Sequence, residues 1–204
     1  SVRKAGDQVR ITAQLVQADN GVSLWTESYD RELKNIFATQ SDIAQAIAGA
    51  LRVPLGLQQG ESLVSNRTND VESYQQYLRA RALYRARAMD QAVALLEPAV
   101  ARDSSYAPAW ALLAQAYALS PVFNMNIWAG SIEEVRPKVQ SSFDKADRAA
   151  REAIRLDPRH AGGYVALAYI QAHRKNWVAA GDLYRQALAL DSGDPDALHF
   201  YGLM

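Results

Sequence analysis

Residues 8–18 alternate in character. Val9, Ile11, Ala13 and Leu15 fall on one side, with Arg10, Thr12 and Gln14 on the other. A period of two marks a half-buried strand. Asp19-Asn20-Gly21 follows, and Asn and Gly accept the positive φ of a tight hairpin turn. Val22–Tyr29 returns as a second strand carrying Trp25 and Tyr29. Ser1–Lys4 reads as the end of an earlier strand, turned by Ala5-Gly6-Asp7. Thr39 and Asp42 then fit a capping box. Ile43, Ile47, Ala50 and Leu51 recur at helical spacing, which predicts a helix over about 40–52. So few elements are marginal alone, so this piece is expected to lean on another part of its parent or on another chain. Residues 56–70 read as a linker by composition.

From residue 71 the period changes to that of a helix, and the pattern repeats. Trp110, Leu113, Ala114 and Tyr117 form one group, Tyr164, Leu167 and Ala168 a second, and Leu198, Tyr201 and Gly202 a third. Tyr164 and Leu198 are 34 residues apart. A second series runs Ala92/Leu96/Ala99, Ala146/Ala150/Ala153 and Ala180/Tyr184/Ala187, again 34 apart from Ala153 to Ala187. Asp157-Pro158 and Asp194-Pro195 punctuate the ends, since proline cannot continue a helix. Trp110 to Tyr164 spans 54 residues, as does Ala99 to Ala153. The excess of 20 places an insertion between Tyr117 and about Lys145, inside the second repeat, with 119–136 as its unusual stretch. The following helix is expected to start near Pro137, a favoured first-turn residue, with Val139, Phe143, Ala146, Ala150 and Ile154 on one face. It would run about 20 residues, roughly 30 Å.

Large–x–x–large–small in each first helix and small–x–x–x–aromatic–x–x–small in each second resemble the tetratricopeptide repeat (TPR) over 71–204. The repeats fall at 71–106, 107–160 with the insertion, and 161–194, with a further helix starting at 195–204. Repeat one, led by Tyr74, Tyr77 and Leu78, has Arg81 where an aromatic is usual. The resemblance implies a concave groove lined by first-helix residues. Its candidate partner-binding positions are Arg79, Gln115, Leu119, Val165, Tyr169, His173 and His199. Gln75, Arg79, Leu112, Gly162 and Ala166 stand where the family's carboxylate clamp needs Lys, Asn and Arg, so no clamp is expected. The stretch SVRKAGDQVRITAQL…LWTESYDRELKNIFATQSDIAQAIAGAL in 1–55 resembles the end of the TolB-like (FlgO-like) α/β domain. That domain precedes TPRs in bacterial signalling proteins, whose relatives carry cyclase, winged-helix or kinase domains upstream. The resemblance favours a periplasmic position in a membrane-anchored parent over a cytoplasmic one. No residues of those upstream activities are present.

Composition narrows the chemistry. Lys+Arg and Asp+Glu both number 22, so the net charge is zero. A nucleic-acid or anionic-membrane binder needs a basic excess. With no cysteine, disulfides, thiolate nucleophiles and cysteine metal sites are excluded. No apolar run approaches the roughly 20 residues that span a bilayer, and no signal-peptide apolar region opens the chain. The chain begins in strand-like sequence and stops within a helical pattern, so it reads as a fragment of a longer protein.

There is no phosphate loop, no GxSxG and no HExxH. His173 and His199 lie on consecutive first helices but lack the further ligands of a metal site. No enzyme, cofactor or metal is expected. Arg79, Arg81, Arg85 and Arg87 crowd one helix, as an acidic-partner surface or as a solvated face with arginine stems over apolar surface. Pro121, Val122, Phe123, Ile127 and Trp128 are apolar for a loop. They either brace the long second helix or form a lid on the groove through Phe123 and Trp128.

The fold expected is mainly α: an α-solenoid of about three TPR helix pairs, preceded by a small β-hairpin plus helix from an incomplete α/β domain. The function expected is a non-catalytic scaffold that binds a protein or peptide partner in the groove. Homodimerisation is the alternative, and neither nucleic acid nor direct membrane contact is expected.

Overall fold

A computed structural model describes residues 1–18, 21–32, 39, 42–43, 46–47, 68 and 70–204. The chain divides into two compact units, Ser1–Asn69 and Asp70–Met204.

In the first unit, β1 (Val2–Ala5), β2 (Gln8–Val16) and β3 (Ser23–Glu32) form an antiparallel meander in the order β1-β2-β3. Both turns use glycine at positive φ, 59° at Gly6 and 69° at Gly21, where a side chain would be strained. The register opposes Ile11 to Tyr29 and Leu15 to Trp25, so the alternating apolar residues share one face. Val9 and Tyr29 are buried. On the other face Arg10 donates two hydrogen bonds to Asp30, at 2.6 and 2.9 Å. Of the helix expected at 40–52, residues Asp42, Ile43, Ala46 and Ile47 are helical. The rest of it, Asn20 of the hairpin turn, and most of the expected linker lie outside the described residues.

The second unit is helical: α1 (Val71–Arg85), α2 (Met89–Arg102), α3 (Ala107–Phe123), a 3₁₀ turn (Met125–Trp128), α4 (Ile132–Leu156), α5 (Ala161–His173), α6 (Trp177–Leu190) and α7 (Pro195–Gly202). Three hairpins follow one another, α1/α2, α3/α4 and α5/α6, with α7 packed on α6. Small side chains let the helices close up. Ala80, Ala92, Ala99, Ala114, Ala146, Ala150, Ala153, Ala168, Ala180 and Ala187 are all buried. At Gly163 an added Cβ would lie 2.8 Å from Ile154 Cγ1 and 3.1 Å from the Ala150 carbonyl oxygen. There α5 rides directly on the backbone of α4. Residues 161–170 of α5 are buried on every side.

The insertion differs from expectation. Helix α3 continues to Phe123, with Pro121 buried in its last turns. Helix α4 starts at Ile132 rather than Pro137 and runs 25 residues, roughly 37 Å. Ser131 N–H donates to Glu134 Oε2 at 3.0 Å, half of a capping box that overrides the proline signal. Pro137 leaves only the Glu133 carbonyl without its helical donor, and Glu133 is exposed to water.

One polar contact spans the array. Tyr84, buried near the end of α1, donates to Asp196 Oδ2 at 2.6 Å in the first turn of α7. Arg87 approaches the same carboxylate at 3.9 Å. The core accordingly joins Ala80 and Tyr84 to Tyr169, Ile170 and Phe200. Tyr84→Phe is expected to destabilise the helical unit by about 1–2 kcal/mol, since a hydrogen bond to a buried-side carboxylate is lost. Urea unfolding followed by helical circular dichroism measures this, and an unchanged midpoint would contradict the role given to this contact.

Candidate functional site

A row of rings crosses the last two repeats. Phe143 of α4 meets His173 of α5 at 5.1 Å between centroids, and His173 meets Tyr169 at 4.4 Å. Tyr169 meets Phe200 of α7 edge-on at 4.8 Å, and Phe200 meets His199 at 4.9 Å. Tyr169 and His173 share a face because they are one helical turn apart. Burial pushes the Tyr169 hydroxyl up to about 12, so the phenol stays neutral.

Two clefts flank this row, and exposed His173 stands between them. One, about 300 Å³, is walled by Trp128, Ile132, Val139, Phe143 and Arg136. The other, about 430 Å³, is walled by Tyr169, Trp177, Tyr184, Phe200 and Leu203. The insertion and the overhanging start of α4 build the first. Trp128 is 54% exposed and Phe123 41%. The Trp128 indole N–H donates to the Pro121 carbonyl, which holds the ring by its edge and leaves a face to solvent. Phe123 instead sits under the Arg87 guanidinium, 5.3 Å from ring centroid to carbon.

The residues expected to line one groove are placed unequally. Tyr169, His173 and His199 come together through Phe200. Leu119 and Val165 are 3% and 2% exposed and offer no surface to a partner. Neighbouring first helices approach closely here: a Cβ on Gly162 would lie 3.2 Å from Ala111 Cβ. Gln115 is half-buried. Exposed Arg79 lies elsewhere, in a cleft of about 480 Å³ with Gln75, Gln76 and Arg102. There Gln76 Oε1 is buried with no hydrogen-bond partner among the described residues. Of the crowded arginines, Arg81 lies over the Tyr77 ring and Arg87 over Phe123. Sequence reasoning missed Phe200 and took Phe143 as core alone. Phe200 adjoins a predicted groove residue but occupies a position the repeat template assigns to packing. Phe143 stands 34 residues before Trp177, at the start of the template's second helix, where the template assigns packing.

His160 has a structural task. Its Nδ1 accepts from Gly162 N–H at 3.2 Å and caps α5. Burial pulls its pKa below the ordinary value, against the opposing pull of Asp157, Asp194 and Asp191. No cluster of three His, Asp or Glu among the described residues is placed to hold a metal. No described helix is long and apolar enough to cross a membrane.

No family model matches the chain. Over 171 residues it is 32% identical to the Rhizobium meliloti (strain 1021) protein named "Putative adenylate cyclase 3", a match covering 82% of this chain and 27% of that protein. The chain thus spans only a small part of that relative's length. Such a match is longer than the helical unit alone, so it takes in part of the N-terminal unit as well. Among solved structures, the chain is similar to a thermophilic TPR protein of Thermus thermophilus, with TM-score 0.53 at 20% identity over 83% of this chain and 77% of that one. It is also similar to the TPR domain of Arabidopsis OM64, with TM-score 0.48 at 15% identity over 64% of this chain and 92% of that one. The first likeness shows the fold: the helical unit is an α-solenoid of TPR helix pairs.

The His160 cap has a pH signature. A histidine held neutral in the fold contributes stability that is complete above its unfolded pKa near 6.5 and is lost as pH falls below it. Thermal unfolding between pH 7 and 5 is expected to show this loss. His160→Asn, which keeps an acceptor at the cap, is expected to flatten it. Asp194, whose carboxyl burial pushes up, acts in the opposite sense as pH falls. An identical slope in the variant would count against the assignment.

Proposed function

We propose that this chain is a non-catalytic protein–protein interaction scaffold, a docking or sensory module of a bacterial signalling protein. In this reading the N-terminal unit is the end of a TolB-like α/β domain. The helical unit takes a peptide or helix of a partner protein. The observation that carries the reading is the ring row, Phe143–His173–Tyr169–Phe200–His199, between two open clefts. Aromatic surface of this kind is where binding energy concentrates at protein interfaces. The engaged surface is the far part of the expected groove plus the insertion, with Trp128 as its lip, because Leu119 and Val165 are closed off by packing. The similarity to part of a cyclase-named bacterial protein supports a signalling parent.

Self-association is a second reading, favoured by Val178 and Leu198, which are exposed on α6 and α7 and which a second copy would cover.

Panning random displayed peptides on the 204-residue chain is expected to enrich a set of related sequences. Calorimetry should then show His173→Ala or Trp128→Ala weakening them on the order of tenfold. Arg185→Ala, on an exposed position of α6, should leave affinity unchanged. Lack of enrichment, or equal loss in the Arg185 variant, would sink the reading. Light scattering over a range of concentrations tests the second reading, and a constant monomer mass removes it.

A further inference from the structure

Resting on the reading above, we infer that the partner segment is an acidic amphipathic helix, with apolar anchors in the clefts beside His173 and carboxylates on its flanks. The geometry supplies both halves. The floor of the insertion-built cleft is apolar: Phe143 and Val135 are buried beneath exposed Trp128 and Ile132. The charge along both clefts is of one sign. Arg136, Arg174 and Lys175 line them, and no aspartate or glutamate does. Arg174 is partly answered by Asp144, at 3.5 Å. Arg136 and Lys175 make no ion pair among the described residues.

The positive rim is local, because the whole chain has no net charge. An occupant with lysines beside its anchors would set like charges together at a surface that excludes water. One with Glu or Asp there would answer the two unpaired cations and steer its approach. The walls also set the occupant's backbone state. They are helices and a 3₁₀ turn, whose backbone groups are largely bonded internally, so an extended strand would find no ladder to join. A helix satisfies its own backbone and presents anchors at i, i+3 and i+4.

The test uses two fluorescein-labelled helical peptides with identical Leu and Phe positions, one with Glu and one with Lys at the flanking positions. Anisotropy is measured with the full chain at low and physiological salt. The Glu peptide is expected to bind roughly tenfold tighter, as a few partly exposed ion pairs allow. That advantage shrinks as salt screens it. The double variant Arg136→Glu, Lys175→Glu, at exposed positions that leave the fold intact by circular dichroism, is expected to invert the preference. Equal binding of both peptides overturns this inference and leaves the scaffold reading standing. A preference for Glu that survives the double variant also overturns it. Binding of neither peptide counts against both.

Discussion

The helical unit depends on how closely its helices can approach. Buried alanines and glycines line its hairpins, and at Gly163 even one methyl would meet the Ala150 carbonyl oxygen at 3.1 Å. Close approach turns many small dispersion contacts into a continuous core. It also decides what remains available for binding. Helices drawn together this tightly bury the middle of the concave face. Accessible surface survives only where larger side chains hold helices apart or where an element projects past its neighbours.

Helix α4 is the element that projects. Its early start at Ile132 gives it 25 residues, against 13 and 14 in α5 and α6. The overhang, residues 132–142, has no counterpart in α6, so Val135 and Val139 need another cover. The 3₁₀ turn with Trp128 supplies part of it and leaves a cleft. The same segment thus covers the start of α4 and walls the cleft. The indole edge is tied to Pro121 while its face stays open, and the apolar excess of the insertion serves both ends.

Much of this was legible from periodicity. The spacing of 34, the excess of 20 and the three-strand meander all follow from which residues alternate and which recur. The boundaries of the insertion were less legible because two local signals competed. Pro137 marks a helix start by propensity. Ser131 and Glu134 mark one by hydrogen bonding, and the bonded cap prevails because it satisfies backbone donors that a proline merely lacks. The site was legible only in part. Tyr169, His173 and His199 could be placed on one side of the array, but their linkage through Phe200 depends on the crossing of α5 and α7. Leu119 and Val165 were assigned to the surface by a template. Their burial depends on the close approach of neighbouring helices, as at Gly162 and Ala111, which shows only in three dimensions.

The bond between Tyr84 and Asp196 joins residues 112 apart in sequence. Solenoids ordinarily behave as one-dimensional chains in which each repeat feels only its neighbours, so ends can fray while the middle holds. Here the first hairpin and the last helix share a partner. Releasing α7 strips a buried hydroxyl in α1 of its acceptor, and loosening α1 leaves a carboxylate of α7 half-answered. The first hairpin and α7 are thereby linked directly, without passing through every repeat between them.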